Sequence, residues 1–255
     1  MRRVANALCL WLMLQRSNLP APPALKELGE IALFLDFDGT LVGIASGPDA
    51  IAVPELLGKS LEELARRLDG ALAIVTGRSI DNLTSFLGDV SVHLAGSHGG
   101  HVLSAKGAVL RETTALPSEV KDGLADYAKR AGILYERKTH GAALHYRAKP
   151  EAEAEVRKFA EDLAGKHQLA TKSGKCVIEI VRPGIDKGGA VELLAGREPF
   201  AGKTAIFVGD DVTDEDGFAA CNQLGGFGIQ IGQRTPTQAR YRLSSVGDLH
   251  EWLQI

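Results

Sequence analysis

The chain has 255 residues, 45% of them hydrophobic, with 29 lysines and arginines against 32 aspartates and glutamates. That length buries a sizeable core in one large domain or two small ones, and a formal net charge of −3 excludes a general nucleic-acid binder, which needs a basic face against phosphates. Cys9, Cys176 and Cys221 fit neither a zinc spacing nor a disulfide framework, so the expected setting is reduced and cytoplasmic.

Arg2-Arg3 ahead of the apolar run 4–14 has the outline of a signal peptide. No small-x-small cleavage pattern follows it, and the run is too short to span a bilayer. Residues 1–22 therefore read as an N-terminal extension, with Pro20, Pro22 and Pro23 marking a linker. Leu33-Phe34-Leu35 then forms an apolar strand that ends abruptly at Asp36-Phe37-Asp38-Gly39-Thr40. A strand apolar on both faces belongs inside a parallel sheet. Residues 54–68 place Leu57, Leu61, Leu64 and Leu68 at helical spacing, as the crossover of a βαβ unit requires. Ala71-Leu72-Ala73-Ile74-Val75 is a second strand, ending at Thr76-Gly77-Arg78. Ser79 caps a helix running to Leu87, and Gly88 stops it. Strand 90–94 leads to Gly96-Ser97-His98-Gly99-Gly100, and 101–111 reads as a hairpin turning at Lys106-Gly107.

The pattern then changes. A helix over 118–131, short strands over 133–138 and 142–147, a helix over 151–164 and a hairpin of 169–172 with 175–181 make an α+β unit. Two helices would cover one face of its sheet and leave the other face open. Asp186-Lys187-Gly188-Gly189 opens a further helix, and Thr204-Ala205-Ile206-Phe207-Val208 is a third core strand ending at Gly209-Asp210-Asp211-Val212-Thr213-Asp214-Glu215. Helix 214–221, strand 226–231 and helix 246–253 complete the chain.

Four segments thus carry one chemical type each at a strand or helix end: an acid pair, a hydroxyl, a lysine and an acid cluster. Open α/β sheets bind ligands at the carboxyl ends of their strands. Carboxylates gathered there repel one another and raise each other's pKa values. A hard divalent cation relieves that repulsion, and oxygen-only ligands suit Mg²⁺. The cation and a lysine together let an anionic nucleophile approach an anionic phosphate.

In this order the four motifs resemble the haloacid dehalogenase superfamily of phosphotransferases. The resemblance implies a Rossmann-like parallel-sheet core, 23–111 with 183–255, and an inserted α+β cap, 112–182, that selects substrate. It implies Asp36 as nucleophile, Asp38 as general acid/base, and Thr76 and Lys187 as phosphate-holding groups, with Gly39, Gly77 and Arg78 lining the phosphate. Mg²⁺ would be held by Asp36, Asp210 and the backbone carbonyl of Asp38, supported by Asp211 or Asp214. An acid at Asp38 favours phosphomonoester hydrolysis, because an alkoxide leaves poorly without a proton donor.

In the cap, Glu136-Arg137-Lys138, His145-Tyr146-Arg147 and Gly174-Lys175-Cys176-Val177-Ile178-Glu179-Ile180 alternate acids and bases along strands. Glu136 and Lys138 share a face, as do Lys175, Val177 and Glu179. Such a face either grips sugar hydroxyls, which donate and accept hydrogen bonds, or carries cross-strand ion pairs in solvent; charge pattern does not separate the two. With G-S-H-G from Gly96 and G-D-D-V-T-D-E-D from Gly209, these runs resemble the trehalose-6-phosphate phosphatase family. That resemblance implies sugar contacts at Glu136, Lys138, Arg147, Lys175 and Glu179, and His98 near the sugar phosphate. This chain departs from it at Gly100-His101, where the family often has an acid. The expected partner is a small-molecule sugar phosphate, with no nucleic acid, no membrane and no defined oligomeric state. The alternatives are another sugar phosphatase or phosphohexomutase, or a non-catalytic sugar-phosphate sensor, which the joint presence of Asp36 and Asp38 disfavours.

Overall fold

The computed structural model describes residues 19–44, 51–138, 140–174 and 176–255. The apolar run 4–14, Cys9 and Lys175 lie outside the described residues. The chain divides into two compact units, one of the chain up to Val109 with Asp186–Ile255, the other Leu110–Ile185.

In chain order the elements are β1 (Ile31–Leu35), α1 (Leu57–Arg67), β2 (Leu72–Val75), α2 (Ile80–Leu87), β3 (His93–Gly96), β4 (His101–Leu103) and β5 (Val109–Glu112). The second unit follows with α3 (Ser118–Ala131), β6 (Leu134–Arg137), β7 (Gly141–His145), α4 (Glu153–Lys166), β8 (Ala170–Gly174) and β9 (Val177–Val181). The first unit resumes with α5 (Lys187–Ala195), β10 (Thr204–Gly209), α6 (Asp214–Gln223), β11 (Phe227–Ile231), β12 (Tyr241–Leu243) and α7 (Val246–Leu253).

Eight strands form one sheet in the order β12-β11-β10-β1-β2-β3-β4-β5. From β12 to β3 neighbours run parallel, and β4 turns back against β3. Every residue of β1, β2, β3 and β11 is buried, as expected of parallel strands covered on both faces. Leu61 and Leu64 of α1 pack with Leu33, Ile74, Val208 and Ile229 in one core cluster; each such leucine contributes about 1.5–3 kcal/mol by leaving water. Ser79 caps α2 by accepting from the backbone N–H of Asn82, and Gly88 ends it at φ 74°.

The second unit has its own four-stranded sheet, in the order β6-β7-β9-β8, with antiparallel neighbours. Its core brings Val120, Leu124 and Val156 of the helices onto Ala142, Leu144, Ile178 and Ile180. Ala142 pairs with Ile180 and Leu144 with Ile178, so these residues share the helix-covered face. The opposite face carries the row Glu136, Ala143, Glu179, Lys172, matched across all four strands. No helix among the described residues is long and apolar enough to cross a membrane.

Most elements differ from expectation by one to three residues at their ends. β3 begins at His93, not at residue 90, and β12 has no counterpart in the sequence reading. β12 is short and half-buried, and pairing with β11, not periodicity, creates it.

Candidate active site

Leu35 pairs with Val208 on one side and Ile74 on the other, so Asp36, Thr76 and Asp210 emerge from adjacent strand ends. After Asp36 the backbone turns sharply: Leu41 N–H donates to the Phe37 carbonyl at 2.9 Å and Gly39 N–H to that of Val42 at 2.8 Å. Gly39 holds φ 83°, and a Cβ there would lie 2.3 Å from an Asp210 carboxylate oxygen. Only glycine lets the turn approach that acid so closely.

Asp186 caps α5 by accepting from Gly189 N–H at 2.7 Å. This fixes the first turn and turns Lys187 inward, 3% exposed. The Lys187 ammonium donates to Asp36 Oδ1 at 2.6 Å and to Asp214 Oδ1 at 2.5 Å. The other oxygen of Asp214 accepts from the backbone N–H groups of Asp210 and Asp211, both at 2.8 Å. Thr40 Oγ1 lies 3.4 Å from Asp210 Oδ1.

Asp36, Asp210 and Asp214 each offer a carboxylate oxygen, all within 4.8 Å of one another. One lysine does not neutralise this group. Burial pushes the Asp36 carboxyl well above the usual carboxylate range, helped by Asp214 and only partly opposed by Lys187. Burial with the charges of Asp214 and Asp211 raises Asp210 to about 7. Although burial opposes its charge, Lys187 is held above the ordinary lysine range by Asp214 and Asp36. The cluster is therefore short of positive charge, and its donors are hard oxygens. That fits a small divalent cation such as Mg²⁺, whose ligands sit at about 2.0–2.1 Å. Of the two acids expected to support the cation, Asp214 is the one grouped with Asp36 and Asp210. The Asp211 carboxylate instead accepts from Val212 N–H at 2.7 Å.

Asp38 points elsewhere. Its carboxylate takes a two-pronged ion pair from Arg78, Nε to Oδ2 at 2.6 Å and Nη2 to Oδ1 at 2.7 Å. The third arm of the guanidinium donates to Asn82 Oδ1 at 2.6 Å, and its carbon lies 5.1 Å from the Phe86 ring centre. Arg78 is thus spent on the acid/base candidate and on α2.

The loop 96–100 ties two motifs together. Ser97 N–H donates to the Arg78 carbonyl at 2.7 Å, and His98 N–H to that of Thr76 at 2.9 Å. A Cβ on Gly77 would lie 2.7 Å from the His98 ring, and one on Gly99 would lie 2.7 Å from the Asp186 carbonyl. His98 therefore rests on the Thr76-Gly77 turn, beside the helix start that carries Lys187.

Within the second unit, Lys138 pairs with Glu179 at 2.8 Å and His145 Nε2 with Glu136 at 2.7 Å. The bond to His145 lowers the Glu136 carboxyl below its usual range. Glu179 lies over Gly141, where a Cβ would come within 2.5 Å of its carboxylate. Arg147 stands exposed in the turn after β7.

The sequence reading gave no role to Asn82, Glu215 or Arg234. Arg234 Nη2 pairs with Glu215, and its Nε lies 3.4 Å from the Asp210 carbonyl. Glu215 stood inside the acidic motif, but Arg234 lies in the loop between β11 and β12, where no sequence motif marks it.

The family model for trehalose-phosphatase matches residues 34–246. The chain belongs to the trehalose-phosphatase family. That match spans every described candidate residue from Asp36 to Asp214. A probable trehalose-phosphate phosphatase of Sinorhizobium fredii is 41% identical over 215 residues, 82% of this chain and 81% of the relative. A trehalose-6-phosphate phosphatase of Escherichia coli is 37% identical over 234 residues, 88% of this chain and 85% of the relative. The C-terminal domain of a Candida albicans trehalose-6-phosphate phosphatase shares the fold at TM-score 0.75 and 22% identity, covering 94% of this chain and 99% of that one. A haloacid dehalogenase-like hydrolase from Bacteroides thetaiotaomicron does so at TM-score 0.65 and 16% identity, covering 88% and 98%. This trehalose-phosphatase family member thus has the haloacid dehalogenase fold, a parallel-rich core sheet with a separate antiparallel α+β unit.

Proposed function

We propose that the chain is a Mg²⁺-dependent phosphatase that hydrolyses trehalose 6-phosphate to trehalose and phosphate. The observation that carries the chemistry is the Lys187 ammonium bridging Asp36 and Asp214 inside the acidic triad. The substrate follows from the family and from relatives named trehalose-phosphate phosphatases.

Asp36 attacks phosphorus as the bond from phosphorus to the sugar oxygen breaks, giving an aspartyl phosphate. Asp38 delivers a proton to the departing oxygen, and trehalose leaves. Water then attacks the phosphorus and gives its proton to Asp38. Phosphate departs and the Asp36 carboxylate is restored. Lys187 orients Asp36 and offsets charge on the phosphoryl oxygens, and Thr76 with its neighbouring turn receives one of those oxygens. Asp36, Asp210, Asp214 and the Asp38 carbonyl are the groups to hold Mg²⁺, which supplies electrostatic stabilisation of the transferring phosphoryl group. Glu136, Lys138 and Glu179 read the sugar, joined by Arg147 and Lys175, and His98 stands beside the phosphate loop. Residues 112–182 serve as the specificity cap on the core 23–111 and 183–255. The same reading places the enzyme in the cytoplasm, which its unpatterned cysteines favour.

Phosphate release measured over a panel of phosphorylated sugars, with and without Mg²⁺, tests this. Release from trehalose 6-phosphate that needs Mg²⁺ and vanishes in Asp36→Asn is the expected result. Equal turnover of mannose or sucrose phosphates, or full activity of Asp36→Asn, would refute it.

A further inference from the structure

Asp210 and Asp214 sit at the two ends of a short loop between β10 and α6. That loop gathers Asp210, Asp211 and Asp214 next to Asp36, so its own charges push it open. The backbone N–H groups of Asp210 and Asp211, donating to the Asp214 carboxylate, and the Lys187 ammonium, donating to its other oxygen, restrain the loop. A second restraint comes from a different segment, between β11 and β12.

Arg234 is the centre of that restraint. Its guanidinium pairs with Glu215, the residue after Asp214, through Nη2. Its Nε faces the carbonyl of Asp210 at 3.4 Å. Nη1 donates to the Pro236 carbonyl at 3.2 Å, and the second Glu215 oxygen accepts from Gln238 N–H at 2.7 Å. The Arg234 backbone is itself anchored, its carbonyl accepting from Gln230 Nε2 at 2.9 Å. Gln230 is fully buried and pairs in register with Gly209, the residue before Asp210. The brace therefore runs from Gln230 on β11 through Arg234 to Glu215 at the start of α6 and to the Asp210 carbonyl just after β10.

This arrangement does more than lengthen a helix start. An acid in the first turn of α6 already interacts well with the helix N-terminus, and Glu215 needs no arginine for that. A forked guanidinium, with side-chain exposure of 24% against 18% for Glu215, fixes direction as well as charge. Resting on the metal-dependent reading above, we propose that Arg234, acting through Glu215, is a positioning residue that holds the Asp210–Asp214 loop ready for the divalent cation and so sets the cation affinity. Without it, the free energy needed to reorder a self-repelling loop is drawn from cation binding. Partners of this kind, one step removed from the ligands, are worth roughly 10–100-fold in metal affinity.

The test compares the full-length enzyme with Arg234→Gln, Glu215→Gln and the double variant. Cation affinity is read directly, from Mg²⁺ titration calorimetry and from the rise of Tm with Mg²⁺ concentration, and separately from the Mg²⁺ dependence of turnover. Each single variant should bind Mg²⁺ about 10-fold more weakly. At saturating Mg²⁺ each should recover most of kcat, with KM for the sugar phosphate unmoved. The double variant should bind no more weakly than the poorer single one, because both remove one coupled unit. A lowered Tm with unchanged Mg²⁺ affinity would make the pair merely structural and overturn the proposal. Losses that add independently in the double variant would overturn it too. Should Arg234→Gln fail to fold, Arg234→Lys decides: it keeps the charge but loses the fork, and wild-type Mg²⁺ affinity in it would also overturn the proposal. A wild-type enzyme that binds no Mg²⁺ would instead sink the metal-dependent reading itself, so the two failures are distinguishable.

Discussion

Arg78 shows how a residue's partner changes its meaning. In the sequence it follows Thr76-Gly77 and reads as a phosphate contact; in the structure its fork closes on Asp38 and its third arm on Asn82. In the proposed mechanism this two-pronged pair would hold Asp38 in one orientation for proton delivery. Lysine at position 78 would keep a positive charge but could not hold both carboxylate oxygens in one plane. Arg78→Lys should therefore lower kcat on trehalose 6-phosphate by roughly 10–100-fold, a part of the 10²–10⁴ that general acid catalysis contributes. It should barely slow p-nitrophenyl phosphate, whose leaving group departs without a proton. Steady-state kinetics on both substrates check this, and an equal loss on both would place Arg78 on the phosphate instead. The candidate groups Asp36, Thr76, Lys187 and Asp210 were legible as a set because their types stand at strand or helix ends. The Asp38–Arg78 pair was not. Nothing in a sequence says which of several nearby acids a guanidinium will take, and that choice is made by side-chain direction after folding.

At the scale of elements, long apolar runs and capped helices were readable, and edges were not. α2 follows from Ser79 and Gly88, and α3 and α7 have the expected bounds. β12, an edge strand of three half-buried residues, has no periodic pattern to betray it, because its partner strand defines it. In the second unit, strand alternation put Glu136 with Lys138 and, separately, Glu179 with Lys175 and Val177; only the register joins Glu136 and Glu179 in one row, with Ala143 between them. A small residue there stands between the two carboxylates. The cross-strand pairs Lys138–Glu179 and Glu136–His145 fix the direction of the two carboxylates. Glu179→Ala should thus release Lys138 and lower kcat/KM for trehalose 6-phosphate at least about 10-fold, the loss of one charged hydrogen-bonding group from a site that reads hydroxyls. Turnover of p-nitrophenyl phosphate, which has no sugar to read, should stay within about twofold by the same reasoning. Parallel losses on both substrates would mean that this face does not select the sugar.

For the whole molecule, the acidic cluster ties folding to pH and to the cation. Asp210 carries a carboxyl raised to about 7, against roughly 3.9 in an unfolded chain. Between those values the folded state holds a proton that the unfolded state has released, so stability falls as pH rises through that window and levels off above it. The full shift corresponds to about 4 kcal/mol, and solvent screening at a partly exposed carboxyl reduces this to roughly 1–2 kcal/mol. In a chain of this size that is a Tm change of roughly 2–8 °C. Mg²⁺ held as proposed would favour the deprotonated cluster, so its stabilising effect should be small near pH 5 and large at pH 8. Other carboxyls pull the opposite way, among them Glu136, whose lowered value contributes stability that is lost as pH falls through it. The Asp210 share is therefore isolated by comparison with Asp210→Asn, which lacks the titrating proton. Thermal melts from pH 5 to 8, in chelator and in excess Mg²⁺, should show the wild type losing Tm with rising pH in chelator relative to Asp210→Asn, and regaining it with Mg²⁺. The variant should respond weakly to the cation. A wild type and variant that track each other across this range, with equal Mg²⁺ responses, would mean that Asp210 neither carries the strain of the cluster nor holds the ion that relieves it.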